Sequence, residues 1–411
     1  MRQTRPCPNR LPSSVPFSVP PSVPFSVPFS ERPAATVSPF LDLPPLSAAD
    51  FAAIEDKVAA LLHTSADVIV TQGEALLPLE AAIRSAARPG STALNIVTGP
   101  YGQTFGNWLR DCGATVVDLA VPFDTAVTAA QVAEALAAHP AIDFVSLVHA
   151  EAATGNTNPV AEIAAVVRAH GALLMVDAVA SVAAEPLLTD AWGIDLCVIG
   201  GQKAMGGPAG VSAVSVSERA WERIAANPAA PRRSYLSLLD WKERWTDAGR
   251  TALPHAPAQL EMLALGACLD RIAAAGLPAV IARHRAAAAA VRAGVRALGT
   301  VAPFVPDDAH AAPVATTLRT PAGLSAAGLA ADLLRLDPTL PVQPGGGALA
   351  DSMLRVNHYG PAASLATVRA FLTALATTLG ADTGADTDTG ADAGSALKAA
   401  DAAWESAVAA G

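Results

Sequence analysis

The chain has 411 residues, of which 52% are hydrophobic and only 16% are charged. A single hydrophobic core stops growing beyond roughly 250–300 residues, so this length favours two domains. The 27 basic and 37 acidic residues give a formal net charge of −10, which argues against a nucleic-acid partner because such a partner requires a basic face. The 4 cysteines are scattered and form neither a metal-binding spacing nor a disulfide framework. We therefore expect no metal site and a reducing cytoplasm.

The two ends of the chain differ in composition from its middle. Residues 1–45 are rich in Pro, Ser and Val and predict an extended, largely disordered segment; a mis-assigned start codon would produce the same pattern. This segment has no apolar block and is not a secretory signal. Residues 381–411 predict an acidic low-complexity tail. The most apolar run, residues 172–184, is too short to cross a bilayer and contains Asp177, so we expect no membrane span.

Short apolar runs alternate with helical patterns from residue 46 onward. Ser47 and Asp50 form a capping box, and apolar residues then recur at helical spacing. Strands are predicted at 67–71, 93–97, 115–119, 144–149, 173–177, 195–199 and 211–216. Helices are predicted at 74–87, 103–112, 128–138 and 160–170, the last with Asn158 as its cap and Pro159 at its first position. This alternation predicts an α/β domain over residues 46–255, built on a mostly parallel seven-stranded sheet covered on both faces.

A weaker pattern follows Pro257. Two long alanine-rich helices precede a strand–helix–strand–helix set at 315–320, 324–336, 353–358 and 364–379. We expect these elements to form a second, smaller α/β domain over residues 256–380.

Two residues at predicted strand ends carry chemistry. Asp177 ends an apolar strand, and Lys203 lies in a glycine-rich turn after the next one. Each alone has a common explanation, a strand-end cap for Asp177 and a solvated loop residue for Lys203. Together they suit a pyridoxal ring, because ligands bind at the carboxyl ends of parallel strands. The lysine would form a Schiff base, and the aspartate would hold the pyridine nitrogen protonated so that the ring acts as an electron sink.

Three longer stretches resemble a known family. HAEAATGNTNP (149–159), LLMVDAVASVAAEP (173–186) and WGIDLCVIGGQKAMGGPAG (192–210) are similar to the class V branch of fold-type I aminotransferases. The alanine–glyoxylate and serine–pyruvate enzymes belong to that branch. The resemblance implies transfer of an amino group from a small-molecule amine donor to a small 2-oxo acid, pyruvate or glyoxylate, with pyridoxal 5′-phosphate as cofactor. It also implies a homodimer, because the sites of this family lie at the subunit interface.

The resemblance also implies roles for individual residues. Lys203 matches the Schiff-base lysine, and Asp177 matches the partner of the pyridinium nitrogen. Arg355 matches the arginine that binds the substrate carboxylate, a task suited to its planar, two-point fork. Further positions match residues that contact the cofactor: Tyr101, which stacks on the ring, Val179 on the opposite face, Thr154, a hydroxyl near the ring, and Gln202, beside the lysine.

The turn that would hold the cofactor phosphate departs from the family pattern. The family uses hydroxyl side chains and N–H groups at a helix N-terminus, whereas Glu74 and Leu76 stand at two of those positions here. Ala256 stands where the neighbouring subunit of family members supplies a threonine. Two unit charges about 4 Å apart repel by roughly 4 kcal/mol at an effective dielectric of 20, so a carboxylate here disfavours a phosphate.

Glu74 leaves two hypotheses open. One branch of the family, the pyridoxamine–pyruvate aminotransferases, handles free vitamin B6 as a substrate, and the Gln72-Gly73-Glu74 turn resembles that branch. Against this, Gly346 replaces a second arginine of that branch, and Gln202 fits the ordinary aminotransferases better. The alternative is therefore an ordinary alanine– or serine–glyoxylate (or pyruvate) aminotransferase with bound pyridoxal phosphate, in which Glu74 only stabilises its helix.

Two other classes of function are disfavoured. A lyase such as a cysteine desulfurase requires a reactive cysteine in the small domain, and residues 300–360 contain none. A non-catalytic relative has no physical reason to keep Asp177, Lys203 and Arg355 together.

Overall fold

The computed structural model describes residues 45–382 and 393–409. The described residues form one compact unit, so the division into domains at residue 255 stays a prediction. The disorder predicted for residues 1–45 falls outside the described residues, except at Pro45. Among the described residues no single helix is long and apolar enough to cross a membrane, although a pair bent by 90°, Gln259–Ala275 with Leu277–Leu298, meets the length and composition criteria together.

The first part of the chain alternates strands with helices, as predicted. Its elements are α1 (Ala48–Leu61), β1 (Asp67–Gln72), α2 (Leu76–Ala86), β2 (Thr92–Val97), α3 (Pro100–Asp111), β3 (Thr115–Ala120), α4 (Ala129–Ala138), β4 (Ile142–Val148), β5 (Ala150–Glu151), β6 (Asn156–Thr157), α5 (Val160–His170), β7 (Leu173–Asp177), α6 (Thr189–Trp192), β8 (Leu196–Gly200), β9 (Val211–Val216), α7 (Glu218–Ala225) and α8 (Leu238–Trp241), followed by a π-helical turn, Lys242–Thr246.

Seven of these strands form one sheet in the order β1-β9-β8-β7-β4-β2-β3. The pairs from β8 through β7, β4 and β2 to β3 are parallel, and only β9 runs antiparallel to its two neighbours. The predicted α/β class and mostly parallel seven-stranded sheet are confirmed. Because the strands are parallel, the carboxyl ends of β4, β7 and β8 share one edge, which is where ligands bind in such sheets.

The predicted cap at the start of α1 is confirmed, whereas the predicted cap at the start of α5 is wrong. The capping box at Ser47 is present, with both Ser47 and Asp50 bonded to the other's backbone N–H. The prediction that Asn158 caps α5 is wrong, because Pro159 is the N-cap and α5 begins at Val160. The Asn158 side chain is buried and serves other groups, donating to Thr98 Oγ1 at 2.9 Å and to the Val148 carbonyl at 2.8 Å.

The rest of the chain builds a smaller α/β region. Its elements are α9 (Gln259–Ala275), α10 (Leu277–Leu298), β10 (Ala302–Pro303), β11 (Thr316–Arg319), α11 (Ala326–Leu336), β12 (Val342–Pro344), β13 (Met353–Val356), α12 (Leu365–Asp382) and α13 (Ala393–Ala409). The strands form an antiparallel sheet in the order β10-β11-β13-β12. The second predicted strand–helix set is present, and β10 and β12 are additions that are too short to leave a periodic pattern.

Part of the acidic tail predicted for residues 381–411 is folded. Residues 393–409 form α13, whose Ala396 and Ala400 are buried among residues of α10 and α12. A side chain at Gly294 of α10 would overlap Leu372, so small residues allow these helices to approach closely. Alanine is also the strongest helix former. For residues 393–409, therefore, the prediction of a tail without packed structure is wrong.

Candidate active site

The carboxyl edge of the large sheet brings the predicted lysine and aspartate together. Asp177 ends β7 and is buried, and its Oδ1 accepts a hydrogen bond from the Val179 N–H at 2.9 Å. Lys203 lies three residues after β8, and its Nζ is 5.5 Å from the centroid of the Tyr101 ring, at the start of α3. The structure therefore places Lys203 and Tyr101 against each other, with Asp177 and Val179 at the neighbouring strand end.

The turn that carries Lys203 is fixed from α9. Arg271 donates to the carbonyls of Met205 and Gly206 at 2.8 and 3.0 Å, and the Cys268 thiol donates to the Met205 carbonyl at 2.9 Å. Gly206 adopts a φ of 66° and packs against Pro361 of the smaller region. Side chains of α9 and Pro361 thus support the turn, which restricts the positions open to the lysine amine.

Burial has the largest effect on the pKa of Asp177, the acid at the end of β7. Desolvation raises the pKa of Asp177, and the positive charge of Lys203 opposes that rise. A cation placed next to Asp177 would likewise favour its ionised form. This arrangement suits the binding of a protonated ring nitrogen.

Glu74 occupies the amino end of α2. Its Oε2 accepts from the Leu76 N–H at 2.8 Å, and its Oε1 accepts from Gln202 Nε2, also at 2.8 Å. The other amide atom of Gln202, Oε1, is buried and has no hydrogen-bond partner among the described residues. The helix N-terminus that would attract a phosphate therefore already binds a carboxylate, and the adjacent free atom is an acceptor.

Arg355 reaches the site from the smaller sheet. It lies on β13 and is partly buried, and no described carboxylate lies within 4.0 Å of it. Burial lowers the pKa of its guanidinium, while Tyr359 and Tyr101 oppose that effect. When the side-chain amide of Gln343 is assigned so that its oxygen faces Arg355, this oxygen accepts a hydrogen bond from the guanidinium Nε at 3.3 Å. An uncompensated guanidinium close to Tyr101 is suited to a substrate carboxylate.

Thr154 is committed to structural bonds. Its hydroxyl donates to Asn156 Oδ1 at 3.2 Å, and its carbonyl accepts from Thr317 Oγ1 at 2.6 Å. These bonds tie the β5–β6 turn to the smaller sheet. The role predicted for Thr154 beside the ring stays a prediction.

Sequence reasoning missed Glu151, which lies in β5. The side chain is fully buried and interacts electrostatically with Asp177 and Lys203. Its signal in the sequence is a single acid among alanines directly after a buried strand, and one residue without a partner motif is a weak signal.

An Asp–Lys pair at the carboxyl edge of a mostly parallel sheet, with an arginine from a second sheet, defines a pyridoxal-dependent enzyme of fold-type I. The sequence model of the family described as Aminotransferase class-V matches residues 31–333. The chain belongs to the class V aminotransferases and is a transaminase. The family, fold and enzyme class predicted from the sequence are confirmed.

Individual relatives show which class V enzymes this chain resembles. Pyridoxamine–pyruvate transaminase from Mesorhizobium japonicum is 36% identical over 322 residues, which cover 78% of this chain and 81% of that protein. The crystal structure of pyridoxamine–pyruvate aminotransferase from Mesorhizobium loti matches with a TM-score of 0.81 at 33% identity, covering 87% of this chain and 89% of that one. The structure of ureidoglycine–glyoxylate aminotransferase from Bacillus subtilis matches with a TM-score of 0.78 at 25% identity, covering 89% of this chain and 93% of that one.

Proposed function

We propose that this enzyme transfers the amino group of pyridoxamine to pyruvate, forming pyridoxal and L-alanine, with free pyridoxal held on Lys203 between half-reactions. The observation that carries the proposal is Glu74 at the amino end of α2, where the family binds the cofactor phosphate. The similarity to pyridoxamine–pyruvate aminotransferase from Mesorhizobium, in sequence and in structure, supports it.

The polar atoms around Glu74 favour an alcohol over a phosphate. The Leu76 N–H is bonded to Glu74 and is not free for an anion. A phosphate dianion would be repelled by the carboxylate and has no proton to give to Gln202 Oε1, which lacks a partner. The 5′-hydroxyl of pyridoxal can donate to either Glu74 or Gln202. The residues present thus fit the unphosphorylated ring.

The other site residues supply binding and proton transfer. When bound, the pyridine ring supplies an electron sink. Lys203, whose amine is free when pyridoxamine and pyruvate bind, would carry the proton between the two reacting carbons as a general acid–base, and would bind the aldehyde carbon of pyridoxal as L-alanine leaves. Asp177 keeps the ring nitrogen protonated, and Tyr101 and Val179 hold the two ring faces. Arg355 orients the carboxylate of pyruvate or alanine.

Adduct trapping tests the proposal. The protein is incubated with pyridoxal or with pyridoxal phosphate, reduced with borohydride, and mapped by mass spectrometry, with Lys203→Ala as the blank. We expect a Lys203 adduct with pyridoxal at concentrations where the phosphate form gives little. Glu74→Ser restores a hydroxyl and should shift the preference towards the phosphate form. A natural protein that traps only the phosphate form would instead be an ordinary alanine–glyoxylate type aminotransferase, and the Glu74 argument would be wrong.

We also propose that two chains associate. Leu260 and Leu263, one turn apart on α9, are 46% and 39% exposed, and Leu76 next to Glu74 is 41% exposed. Large apolar side chains exposed beside a site favour a protein interface. Sedimentation velocity should give the mass of a dimer, and a monomer at micromolar concentration would contradict this proposal. A cytoplasmic location stays a prediction.

A further inference from the structure

We call the space around Lys203, Tyr101 and Asp177 the pocket. It contains a second buried acid to which the transamination assigns no role. Glu151 lies three residues after the end of β4 and is fully buried. Neither of its carboxyl oxygens has a hydrogen-bond partner of normal geometry among the described residues. Burial without such partners is far more costly for an ionised carboxylate than for a neutral acid.

The surroundings of Glu151 combine close packing with charge. A Cβ added to Gly99 would overlap the carboxyl carbon of Glu151, so glycine is required for the acid to reach the amino end of α3. Burial is the largest effect and raises the pKa of Glu151 to about 8, with Asp177 acting in the same direction. Lys203 and the amide groups of Tyr101 and Gly102 act in the opposite direction.

We propose that Glu151 is a positioning residue that holds a proton beside Lys203, so that Asp177 is the only anion paired with the ring nitrogen. Two neighbouring buried carboxyl groups cannot both ionise without a large penalty, and Asp177 is the one that a pyridinium requires to be ionised. The carbonyl oxygen of a neutral Glu151 can still accept from the N–H groups that open α3, which carries Tyr101. The inference needs a pyridine ring on Lys203 and rests on the proposed function only in that respect.

The test compares Glu151→Gln with Glu55→Gln, a matched change in a buried glutamate on α1. Each protein is loaded with pyridoxal and, separately, with pyridoxal phosphate, and the visible absorbance is followed against pH. A protonated Glu151 and a glutamine are both neutral, whereas an ionised Glu151 would favour the protonated Lys203 linkage. We therefore expect a midpoint of the absorbance change that lies below pH 8 to stay unchanged in Glu151→Gln, as in Glu55→Gln. A midpoint that falls by about one pH unit in Glu151→Gln and not in Glu55→Gln would show an ionised Glu151 and overturns the inference.

A ligand-free measurement separates this inference from the proposed function. The folded-state pKa of Glu151 is raised from 4.5 to about 8, so the unfolded chain loses this proton first and stability falls as pH rises across that window. Glu151→Gln lacks that loss, and its melting temperature relative to the natural chain should rise with pH. If neither ring form binds, the proposed function fails, and this melting comparison alone decides the role of Glu151.

A measurement on a chain that keeps Glu151 remains decisive if Glu151→Gln does not fold. The Glu55→Gln variant lacks the other glutamate whose pKa is raised by burial. Its infrared spectrum should show a protonated carboxyl band that disappears near pH 8. Absence of that band would overturn the inference.

Discussion

Two buried glutamates occupy regions with different roles. Glu55 lies on α1 at a packed corner of the molecule, where Trp245 Nε1 donates to its Oε2 at 2.8 Å and Arg250 lies 3.2 Å from the same oxygen. Glu151 lies at the carboxyl edge of the large sheet and has no such partner. The corner thus compensates its buried acid with side chains, whereas the pocket leaves its acid unpaired beside a lysine and a second acid. Unpaired burial of this kind is typical of sites that bind and transform a ligand.

The largest effect expected is on the pocket side. Lys203→Ala removes the only amine that the proposed mechanism uses, so we expect transamination and adduct trapping to be lost, with a free energy of unfolding within about 1 kcal/mol of the natural value. Borohydride trapping and urea unfolding check the two parts. Lys242→Ala is the matched control, because Lys242 pairs with Asp67 and Asp247 at 2.9 and 2.8 Å near the corner. It should keep the adduct, and loss of the adduct in this control would mean that trapping does not report on the pocket.

A substitution in the corner around Glu55 should lower stability and leave activity nearly unchanged, the opposite of the result for Lys203→Ala. Trp245 is fully buried, its ring meets that of Phe51 edge-on with centroids 5.5 Å apart, and it is a donor to Glu55. Trp245→Ala should lower the free energy of unfolding by about 3–5 kcal/mol, since it leaves a cavity and removes a partner of a buried acid. Denaturant unfolding measures the loss. Activity per folded molecule should change little, and a selective loss of activity would show that the corner and the pocket are coupled.

The same contrast explains what the sequence could predict. The strands that end near the site were predicted within about two residues, because strands buried on both faces leave uninterrupted apolar runs. Asp177 and Lys203 were found because their types and spacing match one chemistry, and Arg355 was found from its match to the pattern of the family. Glu151 was missed because its importance comes from lost solvent and absent partners, which are properties of the packing.

Other departures also follow from packing. Asn158 has the residue type and position of a helix cap, but the Val127 N–H before α4 and the Val148 carbonyl at the end of β4 compete for its side chain. The helix in residues 393–409 has an alanine-rich composition that fits a tail equally well, and contact with α10 and α12 decides between them.

The pH dependence of stability tests whether Glu55, the buried acid of the corner, is protonated in the folded protein. Burial raises the pKa of Glu55 from 4.5 to about 7. The folded protein therefore keeps a proton that the unfolded chain has lost, and stability falls as pH rises from 4.5 to about 7, then levels off. This contribution is on the order of 3 kcal/mol, and Glu55→Gln should remove it. Urea unfolding across this range checks the slope. Equal slopes in the natural chain and in Glu55→Gln would show that Glu55 is ionised throughout.

The smallest effect concerns the start of α1, the helix that carries Phe51 and Glu55 into the corner. The Ser47 hydroxyl accepts from the Asp50 N–H at 3.1 Å, and Asp50 Oδ2 accepts from the Ser47 N–H at 3.2 Å. Ser47→Ala removes the first of these bonds and should lower the free energy of unfolding by about 1 kcal/mol. Thermal unfolding measures the loss, and Ser47→Asn, which can cap equally well, should recover most of it. Since the cap touches neither Glu151 nor Lys203, the absorbance midpoint of the pyridoxal-loaded protein should be the same in both variants. A shifted midpoint would show that the pocket responds to stability alone, which would remove the distinction between the two glutamates.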